Sequence, residues 1–123
     1  MATKNAKVRA RLIQYALSYP EAWQDEPWEG DVVVKVGKKI FVFFGNDNDD
    51  GSMGIGVKLP ESSEEALVYP FTDPSGYGLG KWGWVNATFT KGDTPPVDML
   101  EEWIDESYRA VAPKKLVKQL DAR

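Results

Sequence analysis

The chain has 123 residues, of which 42% are apolar and 28% charged, with a formal net charge of −4. This balance belongs to a globular chain with one buried core rather than a disordered one, and we read residues 1–123 as a single domain. Cysteine and histidine are both absent, which excludes disulfides, thiol nucleophiles, Ser-His and Cys-His catalysis, and zinc sites built from those ligands.

Losing histidine also removes the commonest general acid-base group at neutral pH, so no enzymatic activity, cofactor, metal or small-molecule substrate is expected. The longest apolar run, residues 40–44, has five residues, far short of the ~20 needed to span a bilayer. The basic N-terminal residues are followed by no apolar run of signal-peptide type, and the expected location is the cytoplasm. Charge is unevenly spread. Lys4, Lys7, Arg9 and Arg11 make residues 1–20 basic, five acids fill residues 21–31, the middle is acidic, and Lys114, Lys115 and Lys118 make the C-terminal segment basic again.

Residues 4–19 read as a helix, because Val8, Leu12, Tyr15, Ala16 and Tyr19 form one apolar stripe and Pro20 then stops it. Residues 20–31 read as an acidic loop, with Trp23 and Trp28 capping the edge of the core. Residues 31–36 and 39–44 are rich in Val, Ile and Phe, and Gly37-Lys38 between them is a tight hairpin signal. Alternation assigns Val32, Val34 and Val36 to one face with Ile40, Val42 and Phe44. It assigns Val33 and Lys35 to the other face with Lys39, Phe41 and Phe43.

Residues 45–52 resemble a calcium loop only in part. With Gly51 at the sixth position, Val57 stands where a bidentate Glu is required, so a polar hairpin loop is expected. In residues 53–59, Met53, Ile55, Val57 and Leu59 point inward and Gly54, Gly56 and Lys58 outward; the outward glycines leave room for a backbone or a ring. Residues 61–68 read as a short helix capped by Ser62 or Ser63, and residues 69–80 as loop. The Gly76-x-Gly78-x-Gly80-Lys81 pattern suggests a phosphate cradle but enters a strand rather than a helix, so nucleotide binding is not expected. Residues 81–89 form the fourth strand. Thr94 is the expected cap of a helix over residues 95–111, with Val97, Leu100, Trp103, Ile104, Ser107, Tyr108 and Val111 buried. Asp98, Glu101, Glu102, Asp105 and Glu106 form its solvated acidic face. After Pro113 a basic tail helix follows.

This order implies an α+β, two-layer sandwich: an antiparallel sheet of about four or more strands, helices on one face, the other face open.

Several segments carry a family resemblance. They are Pro20-Glu21-Ala22, Gly37-Lys38-Lys39-Ile40-Phe41, Val57-Lys58-Leu59-Pro60, Gly80-Lys81-Trp82-Gly83-Trp84-Val85, and Ser107-Tyr108. In order and spacing, over roughly residues 8–120, the chain resembles the MmcQ/YjbR family of small bacterial proteins. The resemblance implies a frataxin-like (CyaY-like) fold and a DNA-binding role through paired β-wings; iron binding of the frataxin type is not carried over, because the first helix here is basic. Lys38, Lys39, Lys58 and Lys81 fall in the matched segments.

The candidate DNA-binding residues are therefore Lys35, Lys38, Lys39, Lys58, Lys81, Trp82 and Trp84, on the open sheet face and its wing loops. Lysines among exposed aromatics supply phosphate neutralisation and base stacking. The competing reading uses the same aromatic face as a protein-interaction or dimerisation surface.

Overall fold

The computed structural model describes residues 4–28, 31–45, 51–76 and 79–123. Its elements are α1 (Lys4–Leu17), β1 (Ala22–Trp28), β2 (Asp31–Val36), β3 (Lys39–Gly45), β4 (Met53–Lys58), α2 (Ser63–Ala66), β5 (Thr72–Pro74), β6 (Trp84–Phe89), α3 (Val97–Val111) and α4 (Lys114–Asp121), with a 3₁₀ turn at Leu79–Trp82. The six strands form one sheet in the order β1-β2-β3-β4-β6-β5, and every neighbouring pair is antiparallel. The helices pack against one face, giving the expected α+β architecture. Of the polar hairpin loop expected over residues 45–52, residues 46–50 lie outside the described residues.

Two strands depart from the sequence reading. Residues 22–28 form the edge strand β1, not a loop: Trp23 and Asp25 face one way and pair opposite Lys35 and Val33. Residues 72–74 form the other edge, β5, against β6. Both edges are blunt. β1 carries Asp25-Glu26-Pro27 and an irregular register between Asp25 and Trp28, while β5 is three residues long and ends in Pro74.

The core draws on both layers. Leu12, Ala16, Val34, Phe41, Val42, Phe44, Leu59, Leu100, Ile104 and Tyr108 are all completely buried in one cluster. The presence of Phe41 there corrects the alternation argument. Val34 pairs with Val42 while the next residue, Lys35, pairs with Ile40, so Phe41 is an extra residue on β3. A β-bulge of this kind breaks the two-residue period. It sends Phe41 to the helix side, against Tyr19 and Tyr108 at ring-centroid distances of 6.3 and 5.2 Å, and turns Ile40 to the outer side with its partner Lys35. A second extra residue, Phe44, sits between the Val33–Phe43 and Val32–Gly45 pairs. Val33 is buried as well, but outside the helix-side cluster.

The bulge also ends regular pairing between β3 and β4, whose register holds only at Val42–Val57 and Phe43–Gly56. Ser107 of α3 fills the gap. Its hydroxyl donates to the Phe41 carbonyl and accepts the Lys58 N–H at 2.9 Å, so a helix side chain replaces missing ladder bonds. Replacing Ser107 with Ala is expected to cost about 1–3 kcal/mol, because two buried backbone groups lose their partner at once. Urea denaturation of the two proteins measures it.

Other side chains fix the helices. The Tyr108 hydroxyl donates to the Pro20 carbonyl (2.8 Å), and the Tyr19 hydroxyl donates to Asp105 (2.7 Å) and lies 3.1 Å from the Tyr15 hydroxyl. Burial, then these two partners, raise the Tyr19 phenol well above its ordinary pKa. Asn5 donates to the carbonyls of Gly51 and Thr90. Thr94 is not a cap: α3 starts after Pro96 without a side-chain cap, and Thr94 accepts a bond from Lys4. The acidic face of α3 is only partly solvated. Asp105 also pairs with Arg109 at 2.7 Å, and Glu106 accepts the N–H groups of Glu61 and Ser62 and the Ser62 hydroxyl. Ser62 is thus spent on Glu106 and makes no cap bond to α2.

Candidate nucleic-acid interface

Cross-strand partners share a face, so the register defines the open side of the sheet. One row crosses all the strands: Asp25, Val33, Phe43, Gly56, Asn86 and Asp73. The neighbouring row contains Trp23, Lys35 and Ile40 on one side and Lys58 and Trp84 on the other. Beyond that second row lie the hairpin at Gly37-Lys38 and the 3₁₀ turn with Lys81 and Trp82. Strand direction therefore gathers one end of β1, β2, β3, β4 and β6 at the same end of the sheet, and the candidate residues with them.

The tryptophans divide as the strand start dictates. β6 begins at Trp84, not at residue 81. Val85, Ala87 and Phe89 are buried in the core, so Trp84, Asn86 and Thr88 face outward. Trp84 is half-buried, meeting Phe43 edge-to-face at 5.4 Å. Trp82 stands in the 3₁₀ turn, 62% exposed, with Lys81 Nζ 5.7 Å from its ring. The turn is held by Gly83, whose backbone sits at φ +91° and whose carbonyl accepts the Leu59 N–H at 2.7 Å.

The lysines are not equivalent. Lys35 Nζ lies 2.7 Å from Asp25 and 5.1 Å from the Trp23 ring centroid, and this partner holds the Asp25 carboxyl below the usual carboxylate range. Its charge is already balanced. Lys39 pairs with Val36, a core residue, and so stands on the helix-side rim instead of the outer face. Lys38 at the hairpin tip and Lys81 in the turn are exposed, and Lys58 is half-buried on the outer row. Among the described residues no carboxylate lies within ion-pair distance of Lys38, Lys39, Lys58 or Lys81.

Trp23 is a surface residue that the loop reading misplaced. It is 44% exposed, and its indole N–H donates to the Gly37 carbonyl at 2.9 Å, bracing the hairpin. Residues 22–25, Ala-Trp-Gln-Asp, carry no apolar–polar alternation, so the sequence held no local signal for this strand. The outward glycines do make room. A Cβ at Gly56 would meet Asn86 Oδ1 at 2.8 Å and the Phe43 Cβ at 3.5 Å, so Gly56 lets its row partners close over it. Gly45, Gly54 and Gly56 floor a shallow groove of about 220 Å³ beside Phe43, Asn86 and Thr88. Among the described residues no group of three acids gathers as a metal site, and no helix is long and apolar enough to cross a membrane.

Comparison with solved structures finds chains of similar fold. The Deinococcus radiodurans protein DR2400, described as a DUF419 domain, superposes with a TM-score of 0.69 at 26% identity, covering 91% of this chain and 86% of that one. A protein from Pseudomonas syringae superposes with a TM-score of 0.62 at 20% identity, covering 84% of this chain and 97% of that one. No curated protein matches the sequence. The YjbR family model matches residues 17–110, from the end of α1 through most of α3. The chain belongs to the YjbR family.

Proposed function

We propose that this protein binds DNA, without catalysis, at the basic end of its open sheet face. The observation that carries the reading is the convergence of Lys38, Lys58 and Lys81 with the exposed rings of Trp82 and Trp23 at one end of an uncovered sheet. Lysines without carboxylate partners neutralise phosphates, and a ring free on one face stacks a base without needing a particular sequence. The net charge of −4 makes the long-range field unfavourable, so binding is expected to be weak and steeply weakened by salt.

Fluorescence anisotropy with labelled single-stranded and duplex oligonucleotides, at about 50 mM and about 200 mM salt, tests this. Lys38→Glu with Lys58→Glu is expected to abolish binding to both. Trp82→Ala is expected to weaken single-strand binding about tenfold, the size of one lost base stack. Absence of binding at the lower salt, or binding indifferent to these substitutions, overturns the reading. A second reading is favoured by the Phe43–Trp84 contact and the glycine-floored groove beside it, which make the centre of this face apolar enough for protein contact or self-association. Sedimentation of the same preparations reads that directly.

A further inference from the structure

The large apolar side chains left exposed among the described residues fall in two places. Trp23 and Trp82 lie at the basic end of the sheet; Leu67, Val68 and Tyr69 are consecutive, just after α2 on the helix side. Val68 is 78% exposed. The second place has the opposite electrostatic character. Beside it a cleft of about 310 Å³ runs between α2 and α3, with Tyr69, Met99 and Trp103 on its floor and Glu65, Glu102 and Glu106 on its rim. The Tyr69 and Trp103 rings lie 6.3 Å apart. Glu102 and Glu106 also line the adjoining cleft of about 450 Å³, which continues along α3 to Arg109 and Ala110. Together the two clefts follow α3 from Met99 to Ala110, which at 1.5 Å per residue is roughly 16 Å, or three helical turns.

We infer that this trough is a docking site for a cationic amphipathic helix of a partner protein. Its floor is apolar and contains a methionine, whose flexible thioether adapts to an inserted side chain. No basic residue lines the Tyr69–Trp103 cleft, and among the described residues Glu65 and Glu102 have no ion-pair partner. The sole cation of the adjoining cleft, Arg109, is held by Asp105 and Asp121 at 2.7 and 2.8 Å. Glu65 and Glu102 therefore stand unpaired on the rim, above a floor that takes an apolar anchor, while Glu106 is already held by the Glu61 and Ser62 N–H groups and the Ser62 hydroxyl. A helix presenting Leu or Met at i, i+3 and i+7, flanked by Lys or Arg, satisfies both requirements. Nucleic acid and anionic lipid are repelled by the same rim.

The probe is a labelled synthetic helix of Leu, Lys and Ala with its leucines on one face. Its control is the same composition scrambled to destroy that face. Binding is followed by anisotropy with the full chain. The ordered peptide is expected to bind at least about tenfold tighter than the scrambled one, a difference of about 1.4 kcal/mol. Glu65→Gln with Glu102→Gln, and separately Met99→Gln, are each expected to remove most of that difference, and both variants should keep the parent thermal midpoint within a few degrees. Equal binding of the two peptides, or a preference that survives both variants, overturns the inference. The DNA titrations are expected to be unchanged in both variants, so this site and the sheet-face reading stand or fall separately.

Discussion

Phe41→Ala is expected to destabilise the protein by about 3–5 kcal/mol, near the upper end for truncation of a core aromatic. The residue is completely buried and packs against the Tyr19 and Tyr108 rings, which also touch each other. Its bulged position leaves little scope for collapse around the void, because Ser107 already clamps its carbonyl and the Lys58 N–H is clamped to the same hydroxyl. At roughly 4 °C per kcal/mol for a domain of this size, the thermal midpoint should fall by about 12–20 °C. Phe41→Leu keeps most of the volume and should lose only about 1–1.5 kcal/mol. Calorimetry and urea titration measure both. A loss below about 1 kcal/mol for the alanine variant would mean that Phe41 lies on the outer face, as plain alternation places it.

Gly83→Ala is expected to cost about 2–3 kcal/mol, although it adds a single methyl group. Two effects act together. The backbone at φ +91° is a conformation that side-chain-bearing residues rarely adopt. The new Cβ would also sit 3.1 Å from the backbone of Leu59 and Pro60, atoms that cannot swing aside as a side-chain tip would. The strain falls on the bond from Leu59 N–H to the Gly83 carbonyl and on the 3₁₀ turn that presents Lys81 and Trp82. Oligonucleotide binding should therefore weaken along with stability. Gly76→Ala, where a Cβ meets nothing within 4 Å and φ is not in the left-handed region, is the matched control and should leave the thermal midpoint unchanged. Equal behaviour of the two variants would remove the argument.

Much of the fold was legible because its signals are local. The stripe of α1, the sharp period of α3 and the Gly37-Lys38 hairpin all depend on spacings of a few residues. The edge strands were not legible. Acids and prolines dominate residues 20–31, and prolines and glycines punctuate residues 69–80; a strand paired along one side tolerates such composition. The face of Phe41 was hidden for a different reason. A bulge is set by tertiary packing, here by Tyr19, Tyr108 and Ser107, and a single extra residue inverts the faces on one side of it, here those of Lys39 and Ile40, while Val42 and Phe43 keep theirs.

The candidate interface was legible as residue types but not as an arrangement. Trp84 faces outward as its alternation with Val85, Ala87 and Phe89 implies. The Asp25 partner of Lys35 comes from a strand that the sequence reading did not contain, and the bulge moved Lys39 to the opposite rim. Only the register, which the sequence does not print, reveals that Trp23 belongs to the same end of the sheet as Lys58 and Lys81.

The two blunt edges of the sheet have a consequence for how this chain meets others. A six-stranded open sheet presents unpaired backbone groups along both outer strands, the usual template for strand-by-strand polymerisation. Here one border carries Asp25-Glu26-Pro27 with a broken register, and the other is too short and proline-terminated to guide an incoming strand. Growth by lateral recruitment of further β-structure is blocked at both margins. Under the two proposals made above, association would run through faces instead, the lysine-tryptophan end on one side or the carboxylate-rimmed trough on the other, and these carry opposite charge. Ligands of opposite polarity at the two proposed sites would therefore not compete for the same surface.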